Sequence, residues 1–416
     1  MSLTHTAITM DVSSSSRAPL DTREFPSAAR MIASLLNEIK FGSLTVHWPD
    51  GQTSQHGHAH PVANIHLQDF ETCSATLRRG DIGFAESFMD GRWTTDNLAQ
   101  LLTLFVANRN RIQKVLYGSP VVRFVYNLRH WFKRNTVAQA RRNIAAHYDL
   151  GNDFYRLWLD PGMTYSSALY SWPTQDNARP LKEAQDMKYA RILEEAHIMP
   201  HSKVLEIGCG WGGFAEAAAR RGASVKGLTL SAEQLAYAEQ RIADAGLASE
   251  ATFALQDYRH EHEQYDAIAS VEMFEAVGQQ YWANYFDTVR KCLKPGGRAV
   301  VQTITIAEDL FDQYRKTPDF IQTYIFPGGM LPSPSAFAKQ AQLAGLKVVS
   351  TLAFGHDYAR TLAQWRESFI AQLPTVRAQG FDDEFINMWE FYLAYCEAAF
   401  AGDNTDVVQF TLEHSR

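Results

Sequence analysis

The chain has 416 residues, of which 46% are hydrophobic, 12% aromatic and 20% charged, with a formal net charge of −7. That length suits two domains, and the apolar content excludes a disordered chain, a fibre or a coiled coil. No run of about 18 apolar residues is present to span a membrane, and the scattered Cys73, Cys209, Cys292 and Cys396 form neither a disulfide framework nor a zinc site.

Residues 1–26 carry the run Ser13 to Ser16 and two prolines, without a basic start and apolar block, so a disordered tail on a cytoplasmic protein is expected. Helical spacing follows from Ala28 to Lys40, then strand-like alternation from Gly42 to Trp48 and a turn at Pro49-Asp50-Gly51. Gln55-His56-Gly57-His58-Ala59-His60-Pro61 reads as a polar loop without the Cys or acidic partners of a metal site, so no metal is expected. Gly80-Asp81-Ile82-Gly83 and Asp90-Gly91-Arg92-Trp93 read as further turns, and Leu98 to Val106 as a helix. A smaller α+β domain over 27–140 accounts for this region.

From Asn97 to Tyr148 there is no acidic residue, while Arg109, Arg111, Lys114, Arg123, Arg129, Lys133, Arg134, Arg141 and Arg142 alternate with Tyr117, Phe124, Tyr126, Trp131 and Phe132. Basic and aromatic residues interleaved on helical stretches suit an anionic membrane surface; a solvated helix face is the plainer alternative. No nucleic-acid motif accompanies the charge.

The second part, 141–416, has another rhythm. Strands at 204–207, 224–230, 251–255, 267–271 and 299–306 alternate with helices at 214–221, 232–245 and 281–293, which implies a mostly parallel α/β sheet covered on both faces. Lys347 to Ala353 and Val407 to Leu412 are candidate edge strands. Between them lies a helical insertion rich in aromatics, among them Trp365, Phe369, Phe385, Trp389, Phe391 and Tyr392. Core packing explains most of these, and a pocket for a long apolar ligand is the sharper reading.

Glu206-Ile207-Gly208-Cys209-Gly210-Trp211-Gly212-Gly213 joins the first of these strands to a helix, where open α/β sheets bind ligands. Gly208, Gly210 and Gly213 also satisfy the dinucleotide spacing, but the acidic ribose ligand expected about 20 residues on is missing. Instead Ser231 can cap the next helix and place Gln234 toward the loop. Asp257 offers a carboxylate for an adenine amino group beside Tyr258, and Glu272 and Glu275 follow the next strand. Together these residues resemble a class I S-adenosylmethionine (SAM) methyltransferase, with a Rossmann-like sheet, rather than a dehydrogenase.

A closer resemblance lies in His147-Tyr148-Asp149-Leu150-Gly151-Asn152-Asp153-Phe154-Tyr155, Met163-Thr164-Tyr165-Ser166, Leu228-Thr229-Leu230-Ser231 and Tyr324-Ile325-Phe326-Pro327-Gly328-Gly329. With the glycine loop, these make the chain similar to the cyclopropane fatty acid synthase family, which includes mycolic acid methyltransferases. The resemblance implies SAM-dependent methyl transfer to the cis double bond of an unsaturated acyl chain on membrane phospholipid, by a peripherally bound enzyme that can dimerise. It places Tyr165, Ser166, Gly208, Gly210, Thr229, Leu230, Gln234, Asp257 and Tyr258 at the cofactor.

Ring-forming members hold a bicarbonate base with a Cys, a Glu, a His, an Ile backbone group and a Tyr. By resemblance Glu275, Ile304 and Tyr358 keep three of these positions; Ser167 replaces the Cys, Gln302 the His, and Ala276 a His that often follows the Glu. Gln302 can donate hydrogen bonds but cannot carry a proton as His does. Two products are therefore open: a cyclopropane, which the resemblance favours slightly, or a methyl-branched or methylene-bearing chain without ring closure. A lipid-binding protein that has lost turnover is the alternative from another class. Glu272 reads as a structural or supporting hydrogen-bond partner, and His147 as either a core or a pocket histidine.

Overall fold

The computed structural model describes residues 20–111, 150–176 and 178–415. Most of the basic stretch, the boundary expected near residue 140, His147 and residues 1–19 of the expected tail lie outside them; within 20–26, Phe25 is buried in the core.

The first unit runs α1 (Ser27–Leu36), β1 (Ser43–His47), β2 (Thr53–Gly57), β3 (Val62–Leu67), α2 (Glu71–Arg79), α3 (Asp81–Met89), β4 (Trp93–Thr94) and α4 (Leu98–Ala107). Its sheet has the order β2-β1-β3-β4, with β1 antiparallel to β2 and parallel to β3. Two readings need correction. The histidine-rich segment begins as strand β2, where His56 is buried between Ser54 Oγ and Asn37 Oδ1 at 2.9 and 3.0 Å. Residues 81–83 are helical rather than a turn: Gly80 (φ +63°) breaks the chain between α2 and α3, whereas Gly83 lets the two helices touch. A Cβ at Gly83 would stand 2.1 Å from the Ala75 carbonyl oxygen.

The larger unit holds a seven-stranded sheet of order β10-β11-β9-β8-β5-β6-β7. Its parallel part comprises β5 (Lys203–Ile207), β6 (Ser224–Thr229), β7 (Ala251–Leu255), β8 (Tyr265–Val271) and β9 (Leu293–Ile306). Between them run α7 (Gly213–Arg220), α8 (Ala232–Asp244) and α9 (Trp282–Cys292), after α5 (Asn152–Tyr155) and α6 (Leu181–Glu195). Near-continuous burial along β5 and β8 is what a sheet covered on both faces requires. α8 starts as expected, with Ser231 Oγ accepting from the Gln234 N–H at 3.3 Å.

After α10 (Glu308–Tyr314) and α11 (Pro334–Leu343), β10 (Leu346–Ala353) forms the edge. β11 (Thr405–His414) is not an edge strand: it lies antiparallel between β9 and β10, and 407–412 are buried without alternation because both faces are covered. The insertion between these strands is α12 (Gly355–Ala371), α13 (Leu373–Ala378) and α14 (Asp383–Ala401). Trp365, Phe369, Trp389 and Phe391 pack in one apolar core with Trp93, Leu101 and Leu104 of the first unit. Polar contacts cross the same seam, including Tyr395 Oη to Asp81 Oδ2 at 3.0 Å and a hydrogen bond from Tyr324 to Glu86.

Candidate functional site

At the carboxyl ends of β5, β6, β8 and β9 a cavity of about 330 Å³ runs from the glycine loop to the aromatic insertion. All nine residues expected at the cofactor line it: Tyr165, Ser166, Gly208, Gly210, Thr229, Leu230, Gln234, Asp257 and Tyr258. The loop conformation requires glycine. Gly208 has φ +83°, and a Cβ there would meet Met273 at 2.7 Å, while Gly210, at φ +52°, faces open space. The Gly208 and Cys209 N–H groups donate to the Leu228 carbonyl at 3.0 and 2.8 Å, which anchors the loop to β6.

Beside the loop, Asp160 accepts from the Gly162 and Thr164 N–H groups at 2.7 and 3.2 Å and shapes the Met163–Ser166 segment. Gln185 of α6 donates to the Ser166 carbonyl at 2.9 Å, and Lys188 Nζ donates to Ser166 Oγ and, at 2.7 Å, to Gln185 Oε1. Lys188 is fully buried; burial pulls its ammonium down to about 8, against the nearby carboxylates of Glu272, Asp160 and Glu206. The Glu206 carboxyl, at the end of β5, is pushed well above its usual range by burial, with Arg241 and Lys188 opposing. Its Oε2 is buried without a hydrogen-bond partner among the described residues, and the residue contributes to the cavity lining. Asp257 is clamped by Arg259 at 2.9 and 2.6 Å. Burial raises its carboxyl, but those bonds and the arginine charge outweigh it and hold the group below its usual range.

Two carboxylates meet at the middle of the cavity. Glu272, with φ +48°, accepts from the Ser167 N–H at 2.9 Å, Gln302 Nε2 at 2.7 Å and Tyr358 Oη at 2.8 Å. Burial raises its carboxyl, opposed by Lys188 and by these three donors. Glu275 accepts from the Ile304 N–H and from Thr303 Oγ1 at 3.0 Å through Oε1, while Oε2 has no partner among the described residues. Burial and the neighbouring Glu272 push Glu275 up to about 8. The Met330 N–H donates to the Glu275 carbonyl at 2.8 Å, which ties the Pro327-to-Gly329 segment to this group.

Of the residues expected to do chemistry, Glu275, Ile304 and Tyr358 line the cavity. Ser167 and Gln302 stand behind its wall, fully buried: the Ser167 hydroxyl donates to the Ala168 carbonyl at 3.0 Å and the Gln302 amide is engaged with Glu272. The far end is aromatic and apolar, with Leu362, Tyr392, Tyr395 and Phe400; Tyr392 Oη lies 2.7 Å from Tyr165 Oη. Glu272, read from the sequence as a supporting hydrogen-bond partner, does accept from three donors and also lines the cavity; Glu206 was read only as the start of the glycine loop, and Lys188 was missed. A signal existed for Lys188: it falls with Ala184 and Ile192 on the buried face of α6, where a charge is costly unless used.

A family model described as mycolic acid cyclopropane synthetase matches residues 135–410. The tuberculostearic acid methyltransferase UfaA1 of Mycobacterium tuberculosis is 41% identical over 80% of this chain and 79% of its own length. The cyclopropane-fatty-acyl-phospholipid synthase of Escherichia coli is 35% identical over 81% of this chain and 84% of its own. Among solved structures, mycolic acid cyclopropane synthase CmaA1 complexed with SAH and CTAB superposes with a TM-score of 0.61 and 31% identity, over 65% of this chain and 97% of that one.

Proposed function

The chain belongs to the mycolic acid cyclopropane synthetase family of SAM-dependent methyltransferases, and on that premise we propose that it methylates the cis double bond of unsaturated phospholipid acyl chains without closing a ring. The observation that carries this reading is the position of Glu272. Its carboxylate accepts from Ser167, Gln302 and Tyr358, three of the five positions at which the family resemblance places bicarbonate. On this reading a side chain takes the place of the anion, and a bicarbonate beside Glu272 would meet its like charge.

The residues fit SAM. The unpaired Glu206 Oε2 suits an ammonium group; the open backbone at Gly210, the Ser166 hydroxyl and the Asp257–Tyr258 pair complete the holding set. When bound, SAM supplies an electrophilic methyl group on a positively charged sulfur. The alkene is a weak nucleophile, so the cavity must align it and exclude water, and the apolar end formed by Leu362 and Phe400 suits an acyl chain. Positive charge left on the acyl chain faces Tyr165, Tyr358 and Tyr392 and the Glu272 carboxylate, which stabilise it. Glu272 is pinned by three hydrogen bonds and cannot follow the transferred methyl group as a free base could; the proton passes instead from a carbon beside the cation to the unpartnered Oε2 of Glu275 in its ionised form, leaving a double bond and no ring. The relative named for methylation is 41% identical and the one named for ring formation 35%.

No helix among the described residues is long and apolar enough to cross a membrane. Access to phospholipid is assigned to peripheral binding at an anionic membrane surface, with the basic residues between Asn97 and Tyr148 supplying the positive charge. The test is turnover on unsaturated phospholipid vesicles in buffer stripped of carbon dioxide, with and without added bicarbonate. Unchanged turnover and a ring-free product are expected. A cyclopropane, or turnover restored only by bicarbonate, would overturn the reading.

A further inference from the structure

Behind Glu272 lies a chain of buried side chains that the chemistry above does not use. Arg191 Nη1, on α6, donates to Gln409 Oε1 at 2.5 Å; Gln409 Nε2 donates to Gln302 Oε1 at 2.9 Å; and Gln302 Nε2 donates to Glu272 at 2.7 Å. Gln409 and Gln302 are directly opposed on β11 and β9, both fully buried. Two amides inside a covered sheet are costly to bury, and apolar residues such as Val407 and Val301 fill neighbouring positions.

The direction of the chain is set at one end. An amide can present either its oxygen or its nitrogen, but a guanidinium only donates. Arg191 therefore fixes Gln409 with its oxygen inward, which turns the Gln409 amino group to Gln302, which in turn aims the Gln302 amino group at Glu272. Without that restraint Gln302 could rotate and set its oxygen against the carboxylate.

We propose that Arg191 and Gln409 are positioning residues that, through Gln302, keep Glu272 an anion and leave the exchangeable proton of the carboxylate pair on Glu275. This rests on the reading of Glu272 as the resident anion of the site. The other groups facing the pair are Lys188 from α6, Tyr358 from α12, Tyr285 from α9 and Tyr314 from α10, while Glu206 of β5 acts on the same Lys188. Of these, Lys188 alone is a cation, and it is held by Ser166 and Gln185 rather than by either carboxylate. The amide chain is thus a separate support for the Glu272 charge.

The test is a carboxyl-stretch infrared titration of the full-length, ligand-free protein. In the wild type a buried protonated carboxyl should ionise with a midpoint of about 8 and vanish in Glu275→Gln. Gln409→Met should lower that midpoint by about one unit or more, at least a tenfold change in the acid constant, because a proton moves to Glu272 and its repulsion of Glu275 disappears. A new protonated signal, removed by Glu272→Gln, should accompany the shift. Arg191→Met should act in the same direction, and Arg191→Lys, which keeps a donor, should restore the wild-type midpoint. Gln409→Asn, milder but too short to reach Gln302, serves if the methionine variant does not fold. A folded Gln409 variant with the wild-type midpoint overturns the proposal. Because the readout needs no substrate, it is independent of whether wild-type protein methylates an alkene.

Discussion

Replacing Glu275 by Gln removes a charge while keeping an oxygen to accept from the Ile304 N–H and Thr303 Oγ1. In the folded protein the carboxyl ionises at about 8, against an ordinary value of 4.5. Between those two values the native state holds a proton that the unfolded chain has released. Stability therefore falls as pH rises through this window, and the loss is complete above 8. At about 1.4 kcal/mol per unit, ionising Glu275 costs on the order of 4 kcal/mol more at pH 9 than at pH 5. For a chain this long that is roughly 4 °C in Tm. Glu275→Gln should therefore melt close to wild type at pH 5 and several degrees above it at pH 9, with SAM affinity preserved and turnover lost. Thermal melts of both proteins across this range, with calorimetric SAM titrations, check it. A variant whose melting difference from wild type is the same at both pH values would refute the assignment of the buried proton, and wild-type turnover would remove Glu275 from the chemistry.

Gly208→Ala, which places a Cβ against Met273 at positive φ, should weaken SAM binding tenfold or more, consistent with a strain of about 1–3 kcal/mol; calorimetry with unchanged affinity would contradict the loop's role. Tyr358→Phe removes a donor from the buried Glu272 carboxylate, a loss of about 1.5–3 kcal/mol, so kcat should fall at least tenfold with SAM affinity intact; a normal kcat in steady-state assays would contradict it. Binding to anionic vesicles in co-sedimentation should fade as salt approaches about 1 M, where the Debye length shrinks to about 3 Å, and should be weak on neutral vesicles; salt-independent binding would argue against the basic stretch as the docking element.

Much of the fold was legible because the local signals were unambiguous. The strands at 204–207 and 267–271 are short apolar runs between helical periods, and such runs survive only where both faces are covered. The cavity-lining places of Gly208, Thr229 and Asp257 were legible because they stand at strand ends, whereas Tyr165 and Ser166, which precede the sheet, were placed by the family resemblance alone. Misreadings arose where one residue type serves two purposes. Gly83 looks like a turn residue but permits contact between helices, and His56 looks solvated but is an interior hydrogen-bond partner. The place of β11 depends on pairing across about 100 residues, which local pattern does not encode. The carboxylate site was only half legible for the same reason. Glu275 sits in a recognisable motif, whereas the role of Glu272 depends on donors from the Ser167 segment, β9 and α12, and Gln409 reads as an ordinary strand residue until Gln302 lies opposite.

The most direct measurement is a mass spectrum of the acyl product after incubation with cis-unsaturated phospholipid vesicles and SAM bearing a trideuterated methyl group. The expected product is one carbon heavier at the former double bond and ring-free. It should carry all three deuteriums if the proton left the acyl chain, or two deuteriums and a double bond that hydrogenation saturates if a methylene formed. A product with two deuteriums that resists hydrogenation is a cyclopropane and would contradict ring-free release, and acyl chains without added deuterium would contradict alkene methylation itself.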